Sequence, residues 1–223
     1  MNIAIDGPAG AGKSTVAQQV AGKLGYLYID TGSMYRALAW AVHHYEIPVD
    51  NEEEVSRLLE KNTIRLERDQ GEQRVFWNDT DVTRLIRTPE VSEYASIVAS
   101  YPAVREQMLV LQRKMAQRGN VVMDGRDIGT HVLPDAEVKI FLTASIQERA
   151  RRRWSELRAK GNDPQLSDME KEIAERDHRD MNREVAPLRQ AEDAVLVDTT
   201  GISIEQVVDR ILQICYRTGE SQL

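Results

Sequence analysis

Gly7-Pro8-Ala9-Gly10-Ala11-Gly12-Lys13-Ser14 has the full spacing of a phosphate-binding loop, directly after the apolar stretch Ile3-Ala4-Ile5-Asp6. Glycines at these positions let the backbone approach a polyphosphate closely and turn several N–H groups toward it. The helix that follows adds its positive end, and Lys13 supplies a point charge for the outer phosphates. Ser14 is placed to ligate Mg²⁺, and Thr15 extends the loop into the helix. A turn that only caps a helix does not require Lys-Ser after its last glycine, so Gly7 to Thr15 reads as the grip on a nucleoside triphosphate.

Four further groups of residues carry substrate chemistry. Asp30-Thr31-Gly32-Ser33-Met34-Tyr35-Arg36 follows a second apolar run and starts a helix, so a hydroxyl and Arg36 can meet one ligand, although such turns also cap helices routinely. Val121-Val122-Met123-Asp124-Gly125-Arg126-Asp127 ends a strand with a carboxylate, where phosphate-loop enzymes keep an acidic residue that holds Mg²⁺ through water. Beyond it, Arg126 can hold a phosphate and Asp127 can accept from a base amine, or the two can form a local ion pair at a surface turn. Arg149-Ala150-Arg151-Arg152-Arg153 precedes a bend at Lys160-Gly161-Asn162-Asp163-Pro164 and is either a solvated face or a lid that brings guanidinium groups over transferring phosphates. Arg176, Asp180 and Arg183 stand at i, i+4 and i+7 on one helix face, as a sugar-phosphate site or an exposed ion-pair ladder. His43, His44, His131 and His178 have no metal spacing.

The elements that must position these residues alternate between short apolar runs and helical patterns. Ile3–Ile5, Tyr26–Ile29, Val121–Met123, Val138–Leu142 and Ala194–Val197 read as buried strands. Ser145…Glu148, Ser167…Glu170 and Ser203…Gln206 match the capping box, and Gly161 and Gly219 are expected helix stops. One region breaks the alternation. Thr63–Arg68 and Gln73–Trp77 flank a turn and read as an antiparallel hairpin, with Val82-Thr83 as a candidate third strand. Thr88-Pro89 opens a helix, and Pro102 opens another that runs to about Arg118 and stops at Gly119. The expectation is an α/β fold: a parallel sheet flanked by helices in one domain over 1–223, an insert over about 60–100 and a short helical lid over about 148–166.

Composition limits the partners. The chain has 223 residues, 41% hydrophobic and 29% charged, enough for one substantial core. A net charge of -7 argues against broad nucleic-acid or membrane-surface binding, which needs an extended positive footprint. Small anions remain, because 22 of the 29 cationic residues are Arg, the better residue for a planar grip on phosphate. The single cysteine, Cys215, excludes an internal disulfide and suits a reducing cytoplasm; it reads as a buried helix residue. A strand pattern begins at once, with no secretory-type leader and no apolar run near the ~18 residues of a membrane span. A soluble, untargeted cytoplasmic monomer is expected.

The phosphate loop, Asp30-Thr31-Gly32 through Tyr35-Arg36, Asp124-Gly125-Arg126-Asp127-Ile128-Gly129-Thr130, and Arg176 to Arg183 with Pro187-Leu188 together resemble the bacterial cytidylate kinases over nearly the whole chain. The loop is shared by a very large superfamily, whereas the Asp-Gly-Arg-Asp turn combined with the hairpin insert is specific. The resemblance implies a nucleoside-monophosphate-kinase fold, phosphorylation of CMP and dCMP by ATP with Mg²⁺, and an insert that forms part of the monophosphate site. It implies Thr31, Arg36, Arg126, Arg176 and Arg183 around the acceptor's phosphate and sugar, with Asp180 on the ribose. Ser96, Arg105 and Asp127 are implied at the cytosine, and Arg152 and Arg153 are implied as the lid residues that approach ATP. Lys13, Arg126, Arg153 and Arg176 are then the catalytic candidates. Two rivals stand beside this expectation. One is another small-molecule kinase on the same fold. The other is a GTP-driven switch, against which stands the lack of an Asn-Lys-x-Asp guanine-reading segment.

Overall fold

The computed structural model describes residues 1–69, 72–117, 119–159 and 161–220. Its centre is β1 (Asn2–Asp6), whose Ile3, Ala4 and Ile5 are wholly buried. A strand covered on both faces needs such a continuous apolar run. β1 pairs in parallel with β6 (Val121–Gly125) on one side and β7 (Val138–Thr143) on the other; β2 (Leu27–Asp30) and β8 (Val195–Asp198) complete the sheet in the order β2-β6-β1-β7-β8. All pairs being parallel, the ends of β1, β2 and β6 reach the same edge, which brings Gly7, Thr31 and Gly125 together.

Helices α1 (Lys13–Leu24) and α8 (Ile204–Glu220) cover one face, packing Val16, Val20, Val208 and Ile211 on Ile3, Val122 and Ile140. Cys215 is buried in this layer, as expected. On the other face Ile29, Val121 and Met123 pack with Ile128 and Val132, which lie in a single turn closed by i→i−5 hydrogen bonds such as Leu133 N to Ile128 O, 2.7 Å. Two further helices, α6 (Ile146–Ala159) and α7 (Leu166–Asn182), pack against each other above the phosphate loop.

Between β2 and β6 the chain builds a second apolar core. It comprises α2 (Thr31–His44), α3 (Glu52–Glu60), the antiparallel sheet β3 (Ile64–Asp69), β4 (Glu72–Trp77) and β5 (Thr80–Asp81), α4 (Pro89–Val98) and α5 (Pro102–Ala116). Trp77, Ile86, Met108 and the α2 residues Met34 to Val42 meet there. The hairpin pairs Ile64 with Trp77 and Leu66 with Val75, which points alternate side chains into this core.

Several expectations shift. The third strand is Thr80–Asp81 rather than Val82-Thr83, because the Asp81 carboxylate accepts from Thr83 N at 2.9 Å and turns the chain there. Ser167 does not cap α7: the first turn closes on the Gln165 carbonyl, so Ser167 lies inside it. Gly219 does not stop α8, which runs to Glu220; its apolar face outweighs the sub-kilocalorie propensity cost of one late glycine. Helix α5 ends at Ala116, two residues before Arg118. Arg118, Lys160 and the Gln70-Gly71 turn fall outside the described residues. The Ser203 box forms, with Gln206 N donating to Ser203 Oγ and Ser203 N to Gln206 Oε1; Ser145 accepts from Glu148 N, but its own N–H donates to Thr200 Oγ1 while the Glu148 carboxylate pairs with Arg151 and Arg152, so that box is half formed. Gly161, at φ 84, ends α6.

Candidate active site

The loop between β1 and α1 is shaped by its first glycine. At Gly7, φ is 148, and an added Cβ would lie 1.9 Å from the Leu142 carbonyl oxygen, so no side chain fits between loop and β7. Gly7, Pro8 and Ala11 form the back of the loop, while Ala9, Gly10, Gly12, Lys13, Ser14 and Thr15 line an 810 Å³ cleft with Arg152, Arg153 and Arg176. Lys13 is buried and donates to the Pro8 carbonyl at 2.7 Å. Burial and the nearby Arg126 guanidinium push its ammonium well below the usual lysine range, so a charged Lys13 calls for an anion beside it.

Ser14 Oγ donates to Asp124 Oδ2 at 2.9 Å, and Tyr28 Oη donates to Asp124 Oδ1 at 3.0 Å. Burial, with Asp30 nearby, raises the Asp124 carboxyl to about 7, despite Lys13 and both hydrogen bonds. Burial and Asp124 in turn hold the Tyr28 hydroxyl protonated far above the usual phenol range. Among the described residues no three His, Cys, Asp or Glu side chains gather as a metal set.

A second cleft, of 190 Å³, adjoins the first and shares Ala9, Gly10, Lys13, Ser14, Arg36 and Arg176 with it. All nine residues expected around the acceptor line it: Thr31, Arg36, Ser96, Arg105, Arg126, Asp127, Arg176, Asp180 and Arg183. They come from α2, α4, α5, the turn after β6 and the end of α7, which explains their scatter along the chain. Asp30 caps α2 by accepting from Ser33 N at 2.9 Å, as the capping reading expects, and holds Arg36 at 2.7 Å. Thr31 Oγ1 donates to the Asp124 carbonyl at 2.7 Å, and a Cβ on Gly125 would come within 2.7 Å of that oxygen. The β6 turn and the α2 start therefore interlock only around a glycine.

Four arginines of the cleft have carboxylate partners. Arg36 pairs with Asp30 at 2.7 Å, Arg126 with Asp180 at 2.8 Å, and Arg105 and Arg183 both with Asp127 at 2.5 and 3.2 Å. Burial pushes the Asp180 carboxyl up, but Arg126, Arg176 and Arg183 outweigh it and hold it below the usual range. Arg176 is different. Its Nε is buried without a partner, and burial together with Arg126, Arg36 and Arg153 lowers its guanidinium to about 10. Nearby Asp180 offsets only part of this, so a cation at the junction of two clefts gains from an anion beside it.

The basic run on α6 divides. Arg152 reaches Thr199 through Nη1 to Oγ1, 3.0 Å, and Nη2 to O, 2.7 Å; Arg153 faces Glu156 at 3.5 Å; Arg151 pairs with Glu148 on the surface. Arg149, by contrast, is buried and turned away from the large cleft. Sequence reasoning missed Tyr28, Gln73 and Asp6. Gln73 of the hairpin accepts from Asp30 N at 3.1 Å and donates to Ser33 Oγ at 3.1 Å. Asp6 accepts from the N–H groups of Ile128 at 2.8 Å and Gly129 at 2.7 Å, and burial lifts its carboxyl to about 6. An aspartate closing an otherwise apolar strand was the one signal for it. Ser96 lines the acceptor cleft but its hydroxyl already accepts from Arg179 Nε at 3.2 Å.

The family model for cytidylate kinase matches residues 3–217. A cytidylate kinase of Desulfitobacterium hafniense (strain Y51) is 53% identical over 214 residues, covering 96% of this chain and 92% of that one. Another, of Geobacillus sp. (strain WCH70), is 55% identical and covers 96% of each chain. Among solved structures, TT1252 from Thermus thermophilus superposes with a TM-score of 0.50 at 20% identity, covering 97% of this chain and 96% of that one, a likeness of fold.

Proposed function

The chain belongs to the cytidylate kinase family, and from that premise we propose how its residues carry the transfer of the γ-phosphate of ATP to CMP or dCMP. The large cleft takes the triphosphate of ATP over the loop, and the smaller one takes the monophosphate, so that the two anionic ends meet beside Lys13 and Arg176. The observation that carries this reading is Arg176, a half-buried guanidinium that lines both clefts and whose Nε is buried without a partner.

The chemistry asks for positioning and charge. The attacking α-phosphate oxygen of the acceptor is already anionic, so no side chain has to remove a proton. Arg36, Arg126 and Arg176 orient that phosphate; Lys13 and Arg153 offset charge on the group in transfer, and Arg152 holds the donor side. Asp180 takes the ribose, with Arg183 beside it. Thr31 closes the wall at the start of α2, where the helix's positive end also favours an anion. Ser14 and Asp124 form an all-oxygen set that fits Mg²⁺, Ser14 directly and Asp124 through water. When bound, the ion offsets charge on the donor's outer phosphates.

Base choice follows from hydrogen-bond polarity. Cytosine's exocyclic amine donates where uracil's carbonyl accepts, and the Asp127 carboxylate, with lone pairs beyond the two its arginines use, can take only a donor. Ser96 and Arg105 complete the base site. The segment at about 60–100 acts as part of the monophosphate site and 148–166 as the lid, in a monomer that works in the cytoplasm. A coupled ADP assay with CMP, dCMP, UMP, AMP and non-nucleotide acids at fixed ATP and Mg²⁺ tests the reading. CMP and dCMP should turn over fastest; preference for UMP, AMP or an acid sinks it.

A further inference from the structure

Arg149 begins the basic run that the sequence reads as a lid, yet it is 4% exposed and four of its five N–H directions are engaged inside the protein. Its Nη1 and Nη2 make a two-pronged contact with Asp177 of α7, at 3.1 and 2.6 Å. Its Nε donates to the Ala144 carbonyl just past β7 at 2.9 Å, and Nη1 also donates to the Ala9 carbonyl at 3.1 Å. The contact leaves little slack, since a Cβ on Gly10 would lie 3.1 Å from the Cβ of Arg149.

The peptide linking Ala9 to Gly10 is trans, so its C=O and N–H point in opposite directions. A cation that holds the Ala9 carbonyl toward α6 therefore aims the Gly10 N–H the other way, and Gly10 lines both clefts. Asp177 in turn fixes the guanidinium and directly follows Arg176, the arginine that lines both clefts. Resting on the proposed seating of ATP over the loop, we propose that the Arg149–Asp177 pair is a positioning device: it locks the Ala9–Gly10 peptide plane so that the loop presents Gly10 N–H to the triphosphate, and it registers Arg176 against that loop. Arg149 is thereby a positioning residue and not a phosphate ligand.

A purely structural ion pair and a positioning pair respond differently to replacement by apolar residues of similar volume, which often preserves the stability that a buried pair gives. The double variant Arg149→Met/Asp177→Leu is expected to keep a Tm within a few degrees of the parent, while kcat/KM for ATP falls about tenfold or more and KM for CMP, which depends on the pair only through Arg176, rises by a smaller factor. Binding of ADP, measured by calorimetry without turnover, should weaken in parallel. Recovery of both Tm and kcat/KM for ATP would overturn the proposal. If the double variant does not fold, Arg149→Lys provides the same reading: its ammonium is a single point without the planar fork that spans Asp177, Ala144 and Ala9 at once, so parental kcat/KM for ATP in that variant also overturns it. Lys13→Ala, run in parallel, separates this idea from the seating of ATP: activity retained there refutes the seating, whereas activity lost there but kept in the pair variants refutes the positioning role alone.

Discussion

Arg105 of α5 and Asp127 of the turn after β6 meet in a buried 2.5 Å ion pair, and Arg183 holds the other oxygen of the same carboxylate at 3.2 Å. Residues far apart in the chain thus fix one acceptor group at the floor of the smaller cleft. Both arginines are donors, so the carboxylate stays an acceptor.

Asp127→Ala should lower kcat/KM for CMP by about a hundredfold and for UMP far less, since only the donor base loses a partner. The CMP to UMP ratio measured under one set of conditions checks this. An unchanged ratio means that Asp127 does not read the base.

Lys13→Ala should reduce kcat by about a thousandfold or more, in the range seen when a cation is removed from a phosphoryl-transfer site. Circular dichroism should be unaltered, because burial disfavours the ammonium and its hydrogen bond to the Pro8 carbonyl adds little to the fold.

Tyr28→Phe removes one of the two side-chain donors that hold Asp124. The expected outcome is a several-fold rise in the Mg²⁺ concentration giving half-maximal rate, with kcat at saturating Mg²⁺ within about twofold of the parent, as for other groups that orient a metal-binding carboxylate. A loss of kcat that excess Mg²⁺ does not restore contradicts this.

Asp6 gives a pH signature. Its carboxyl is raised from 3.8 to about 6 by burial, so the folded state binds the proton more tightly than the unfolded chain. The stability it adds is present below the unfolded value and is lost as pH rises through about 6, an effect of roughly 2–3 kcal/mol. Relative to the parent, Asp6→Asn should therefore be most destabilised near pH 4, with the deficit shrinking toward pH 7. Urea unfolding at the two pH values measures it, and a deficit independent of pH refutes it.

The Cys215 thiol is 1% exposed, and burial raises it to about 11. A chromogenic disulfide reagent should leave the native protein unmodified and react fully only in denaturant.

Much of this molecule was legible before its fold. The loop and the five sheet strands were, because a buried parallel strand and a phosphate cradle each constrain a short run of residues: Ile3–Ile5 and Gly7–Ser14 suffice. The i, i+4, i+7 spacing of Arg176, Asp180 and Arg183 could not by itself separate a ligand site from a surface ladder, and the family resemblance supplied that choice. Hydrogen bonds across the fold were not legible. Nothing in the sequence ties Asp6 to Ile128 or Arg149 to Asp177, since those pairs depend on how β1, α6 and α7 dock. For the same reason Arg149 and Arg152 look alike in the chain while one is interior and the other faces the cleft. End signals failed where a side chain or carbonyl nearby offered a better closure, as at Asp81 and Gln165.

Helix α2 belongs to two places at once: Thr31 and Arg36 line the smaller cleft, while Met34, Ala37, Leu38, Ala41 and Val42 are interior to the second apolar core. Under the proposed seating, grip on the monophosphate depends on hydrocarbon packing more than a helical turn away. Moderate warming, or an overlarge side chain at Ala41, would register first as a slackened hold on the nucleotide being phosphorylated, with the donor side still intact.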